Sequence, residues 1–224
     1  MNKEQVLKKV ESLVRPQYAK IERWPHGWFH VEKVVQYAKE LAKMEGADPF
    51  LCQIAAYCHD LGRVVEEEKK LYSPVPGAPG HAGLSVIPTQ KILNQVGITG
   101  KDADKVIEAV KVHQLKKYLG DNEVALILQD ADRKNGLGKW GAVRAMVFNL
   151  EMDIPKPEEK DLDSVIDSSI KIIRANPELR ENFIKNSLFA LAWYEELLNT
   201  KSAVVYLKED YLVTKKLYNI IKNN

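Results

Sequence analysis

The chain has 224 residues, 45% hydrophobic and 29% charged, with 33 basic against 31 acidic side chains and a net charge of +2. This composition excludes disordered and fibrous classes and leaves enough apolar material for one large core. So mild a charge excludes the basic field of a nucleic-acid binder, and no duplex partner is expected. No apolar run reaches membrane-spanning length, and the opening MNKEQVLKKV lacks the apolar region of a signal peptide. The two cysteines, Cys52 and Cys58, fall in one predicted helix, where they read as buried free thiols in a reducing cytoplasm.

In chain order, nearly every segment repeats its apolar residues with a period near that of an α-helix, and no strand hairpin is signalled. A first helix is predicted over residues 2–20, with Val6, Val10, Leu13 and Val14 as its stripe and a disturbance at Pro16. A second follows RWPHGW and runs to Glu45. The GADPF stretch starts a third, with Asp48 as N-cap and Pro49 at the first position, and Gly62 is expected to end it. Residues 64–80, VVEEEKKLYSPVPGAPG, lack periodicity and read as a loop, whose 72–80 portion is a candidate cover over a site. Helices are then predicted at 80–96, with a kink at Pro88, and at 101–114, 121–136 and 139–151. MDIPKPEEKD reads as a linker, and three long helices close the chain at 160–175, 177–198 and 202–222. The class is all-α. The domain boundaries expected are 1–152 and 153–224, the latter a helical extension.

All five histidines, His26, His30, His59, His81 and His113, lie in the first half of the chain. A single histidine on an apolar helix face is most often a hydrogen-bonded core residue. Here, however, four predicted helices each aim one imidazole inward, and Asp60 stands beside one of them. A further acid comes from ALILQDADRKNG, where Asp130 and Asp132 interrupt an apolar segment. A buried carboxylate costs several kcal/mol or more unless something compensates it, and a divalent cation held by imidazoles and carboxylates does so. Two residues apart on a helix, Asp130 and Asp132 cannot face the same point, and periodicity does not choose between them.

Three stretches, HVEKV at His30, HDLGR at His59 and Asp60, and QDADR at Asp132, resemble in order and placement the HD-domain superfamily of metal-dependent phosphohydrolases, in particular its small bacterial and archaeal members. The similarity covers roughly residues 22–150. It implies an HD-type helical bundle and a metal ion held by His30, His59, Asp60 and Asp132, with Asp130 a supporting or capping group. A second ion held by His81 and His113 is a further expectation, with intervals from 60 to 81 and from 81 to 113 that suit a dinuclear arrangement. Mixed imidazole and carboxylate ligation suits manganese, iron, cobalt, nickel or zinc. The expected substrate is a phosphorylated small molecule, a nucleotide above all. Arg63 and Arg133, close to ligands in sequence, are candidate phosphate contacts, and His26 is a candidate donor at the pocket rim. Lys116, Lys117 and the EEEKK run read as solvated surface. Lys134 and Asn135 depart from the usual continuation after the arginine, which bears on substrate. Two rival readings use the same residues: a di-iron oxygenase, and a nucleotide-binding regulatory module without turnover. The C-terminal helices are a candidate homodimer surface or simply the completion of the bundle.

Overall fold

A computed structural model describes residues 1–69 and 80–223. The candidate cover at 72–80 therefore lies outside the described residues except for Gly80. Every regular element among the described residues is helical, and no helix among them is long and apolar enough to cross a membrane. The chain divides into two compact units, Met1–Ala131 and Asp132–Asn224.

In the first unit, α1 (Lys3–Tyr18) begins with a reciprocal cap: Gln5 N–H donates to Asn2 Oδ1 and Asn2 N–H donates to Gln5 Oε1, both at 2.9 Å. Its buried face is Val6, Val10, Val14 and Tyr18, and the helix runs through Pro16, which lies in its last turn. After a 3-10 turn at Trp24–His26 comes α2 (Trp28–Glu45), closed by Gly46 in the left-handed region at φ 73°. α3 (Pro49–Cys58) starts where Asp48 accepts from Phe50 N–H, and it packs between α2, α1 and α6 (Gly100–Val112). Cys52 and Cys58 are free and fully buried, and burial pushes both thiols up to about 12.

Two boundaries differ from the sequence-based expectation. α3 ends at Cys58, and after a turn at His59–Asp60 a separate helix, α4, spans Leu61–Lys69. Gly62 thus lies inside α4, and the first part of the expected loop is helical. The reason is tertiary: Leu61 and Val64 are buried, and α4 packs along α5 (His81–Val96). α5 continues through Pro88 as one element and ends at Gly97, φ 75°. α7 (Glu123–Lys134) crosses from the first unit into the second.

In the second unit, α8 (Gly138–Phe148), α9 (Leu162–Ala175), α10 (Pro177–Glu196) and α12 (Lys208–Lys222) pack on one another. The expected last helix is two pieces, α11 (Lys201–Tyr206) and α12, parted at Leu207. Leu207 is fully buried, and its backbone at φ −93°, ψ −3° lies at the edge of the right-handed helical region, so packing rather than a breaker residue sets the interruption. Lys134 is buried here: its ammonium pairs with Asp210 and stands 4.4 Å from the Tyr206 ring centroid. With 34% of the Asp210 side chain exposed, Asp210→Asn is expected to cost about 2 kcal/mol, less than a fully buried pair would. Urea denaturation checks this; an unchanged midpoint would show that the tyrosine ring and water suffice for Lys134.

Candidate metal centre

Five side chains of the first unit converge, each supplied by a helix terminus or the first turn of a helix. His30 lies in the first turn of α2, His59 and Asp60 follow α3, His81 opens α5, and His113 follows α6. All five are buried, with between 0% and 6% of their surface exposed. Helix ends leave carbonyls without intrahelical partners, and two of these histidines use that fact. His59 Nδ1 lies 2.7 Å from the Ala56 carbonyl and His113 Nδ1 lies 2.7 Å from the Val110 carbonyl. A carbonyl only accepts, so Nδ1 carries the proton in both rings and Nε2 is left with a bare lone pair.

Those lone pairs point into the cluster. His59 Nε2 is 3.0 Å from His30 Nε2 and 3.7 Å from Asp60 Oδ2, and His30 Nε2 is 3.4 Å from the same oxygen. Across the carboxylate, His81 Nε2 and His113 Nε2 stand 3.2 and 3.6 Å from Oδ1. Asp60 thus presents one oxygen to each of two groups, His30 with His59 and His81 with His113, and each trio has donor atoms close enough to hold a metal ion.

The donor set fits a cation. Asp60 Oδ1 is buried and accepts no hydrogen bond despite its two imidazole neighbours. Lone pairs of His59 and His113 face carboxylate oxygens, an arrangement that repels unless positive charge lies between them. Two of the first trio's separations, 3.0 and 3.4 Å, fall within the ~3.0–3.4 Å edges set by metal–ligand bonds of ~2.1 Å at octahedral or tetrahedral angles, and the third, 3.7 Å, is slightly longer.

Burial alone would raise the Asp60 carboxyl; the positive charge of His59 and His81 in their protonated forms and of the Arg63 guanidinium more than reverses this and holds it well below the usual carboxylate range. Burial also lowers His81, to about 3, with Asp60 opposing and Arg63 assisting. Arg63 Nε is 3.5 Å from Asp60 Oδ2 and Arg63 Nη1 is 3.6 Å from Glu66 Oε2, so this arginine faces the rim of the cluster. The His26 ring lies edge-on to His30 with centroids 6.2 Å apart.

Three residues not singled out in the sequence brace the cluster. Ser85 Oγ accepts from Gly62 N–H at 2.7 Å and lies within hydrogen-bond reach of the His59 and His81 carbonyls, at 2.7 and 2.8 Å. Its one hydroxyl proton serves one carbonyl at a time, so Ser85 ties the His59–Asp60 turn to the start of α5. Gln114 touches His81, and Glu66 stands between His81 and Arg63. A signal existed for Ser85, which lies one helical turn after His81 on the same face; Gln114 had none, and Glu66, in the EEEKK run expected to be solvated surface, is instead partly buried against Arg63 and His81.

Asp132 and Arg133 belong to the second unit, in the last turn of α7, and Asp130 to the first. Asp130 is fully buried and Asp132 partly so. Arg133 is buried and its guanidinium donates to the Leu197 carbonyl. Lys116 and Lys117 are exposed.

Residues 27–135, a little under half of the chain, match the HD-domain family. The Bacillus subtilis protein YpgQ is 30% identical over 128 residues, which span 55% of this chain and 57% of YpgQ. Among solved structures, that of YpgQ in complex with ADP superposes with a TM-score of 0.65 at 20% identity, covering 100% of this chain and 96% of that one. A Lactobacillus plantarum structure gives 0.64 at 21% identity, with 100% and 98% covered. An HD-superfamily hydrolase from Bacillus thuringiensis gives 0.58 at 17%, with 96% and 94% covered. At these identities the structural likeness is one of fold.

Proposed function

We propose that the chain is a metal-dependent phosphohydrolase that cleaves a phosphate ester or phosphoanhydride of a nucleotide. The observation that carries this reading is the buried cluster in which Asp60 turns one oxygen to His30 and His59 and the other to His81 and His113. The hydrolase class is supported by the HD domain and this donor set, and the nucleotide by the ADP bound in the YpgQ structure.

A bound divalent ion would supply Lewis acidity toward a phosphoryl oxygen and make water acidic enough to ionise near neutral pH. His30, His59 and Asp60 are proposed to hold it, joined by Asp132 on the strength of the QDADR motif. His81 and His113 are the proposed protein ligands of a second ion. The chain's own work is orientation: the Ala56 and Val110 carbonyls fix the rings of His59 and His113, and Arg63 steadies Asp60 while presenting positive charge toward a phosphate. Net reaction adds water to phosphorus and breaks the P–O bond to the leaving group, which departs with a proton; His26 is the proposed donor of that proton. Arg133 is the proposed second phosphate contact. The catalytic domain is proposed to span residues 1–152, with 153–224 as its helical extension.

Elemental analysis followed by a phosphate-release screen tests this directly. Nucleoside mono-, di- and triphosphates would be offered with manganese, cobalt, nickel, zinc or ferrous iron added in turn. The expected result is bound transition metal and release of phosphate from at least one nucleotide. Bound metal with no release across the whole panel would overturn the phosphohydrolase reading, and no bound metal would overturn the centre itself.

A further inference from the structure

The four histidines of the cluster are not alike. His59 and His113 each give their Nδ1 proton to a carbonyl, which leaves Nε2 ready to bind a cation. His81 Nδ1 instead lies 3.1 Å from Gln114 Nε2, and an amide nitrogen is always a donor. Which end of the Gln114 amide faces His81 is settled by a second contact. Ala82 N–H, in the first turn of α5, has no intrahelical acceptor and donates to Gln114 Oε1 at 3.2 Å. Rotating the amide would set its NH2 group against that N–H. His81 Nδ1 is therefore an acceptor, and in the neutral ring the proton sits on Nε2, which stands 3.2 Å from Asp60 Oδ1 without the alignment of a hydrogen bond.

We infer that Gln114 holds His81 in the tautomer that cannot ligate a metal through Nε2, so that the His81–His113 side binds its ion more weakly than it would with an acceptor opposite His81 Nδ1. Binding at His81 Nε2 requires the proton to move to Nδ1, where it meets the NH2 of Gln114. The nearest carboxylate that could take it, Glu66, has Oε1 4.0 Å away and is engaged with Arg63. Gln114 is thus a positioning residue that acts through His81. The inference rests on the metal-centre reading and concerns the affinity of one side of it.

Gln114→Glu is the informative substitution. It puts an acceptor opposite His81 Nδ1, and because Gln114 is exposed as a residue, the change leaves the core untouched. Long-range proton–nitrogen correlation spectra of the metal-stripped protein should show His59 and His113 with unprotonated Nε2 and His81 with unprotonated Nδ1. In Gln114→Glu, His81 should change to the form shared by the other two. Calorimetric titration with Mn2+ should show the ion of the His81–His113 side binding ~10-fold or more tightly in the variant than in the wild type, with the ion of the other side unchanged. The added negative charge would also favour a cation, so the tautomer of His81 is the deciding readout. His81 protonated at Nδ1 in the wild type, or the same Mn2+ affinities in both proteins, would overturn the inference while leaving the centre standing. Failure of both proteins to bind any ion would overturn both.

Discussion

Asp60→Asn is expected to remove metal binding while leaving the helical content of the protein unchanged. Asparagine keeps the volume and one carbonyl oxygen, so the turn between α3 and α4 has no steric reason to move. What it loses is the negative charge and the second acceptor, and Asp60 faces both histidine pairs. Losing a group that merely orients a metal ligand costs 10- to 100-fold in affinity. A ligand common to both groups should exceed that range, and a loss of ~1,000-fold or more is expected. Thermal unfolding offers a readout independent of turnover. At a metal concentration 1,000 times its dissociation constant the wild type gains ~4 kcal/mol, or a rise in melting temperature of ~10 °C for a chain of this size. Asp60→Asn should show no such rise over the same titration. A variant that still melts higher with added metal would move the centre away from Asp60.

The helix inventory and the convergence of inward-facing imidazoles were legible because both follow from periodicity. An apolar stripe at helical spacing states which side chains turn inward, and His30, His59 and His113 each share a stripe with buried neighbours such as Val34, Ala55 and Val110. Helix starts were equally plain where a single residue decides them, as Asp48 and Pro49 do for α3. The differences arose where distant packing decides. VVEEEKK carries only one helical turn of apolar residues before the Pro- and Gly-rich stretch, and α4 exists because Leu61 and Val64 find cover beneath it. The break at Leu207 has no glycine or proline to announce it. Ser85, Gln114 and Glu66 matter through contacts with residues 15 to 33 positions away, and one sequence carries no sign of such partners. Asp130 and Asp132 could not be separated by periodicity for a simpler reason: α7 is buried on more than one side, so both positions satisfy the pattern.

Gly62→Ala should be the most damaging single-methyl change in the first unit, and the sign of its effect is diagnostic. Gly62 is a helical residue at an ordinary negative φ. If it were only that, alanine would stabilise α4 by about 1 kcal/mol through its higher helix propensity. A methyl at this position, however, would meet the His81 carbonyl oxygen at 2.0 Å and its carbon at 2.8 Å. These are backbone atoms at the start of a helix, so no side-chain rotation relieves the contact. The same two segments are drawn together by the Gly62 N–H bond to Ser85 Oγ and by Ser85's contact with the His59 carbonyl. Relief therefore means sliding α5 off α4 and breaking that link, at an expected cost of ~3 kcal/mol or more and a melting temperature lower by ~10 °C. His81 would move with the α5 terminus and Asp60 with the turn, so metal affinity should fall together with stability. Ser85→Ala deletes the link without adding bulk, and its cost should come from the unsatisfied Gly62 N–H, ~1–3 kcal/mol. A Gly62→Ala protein that melts higher than wild type and binds metal as tightly would mean that α4 and α5 do not approach so closely, and the bracing of the cluster would have to be sought elsewhere.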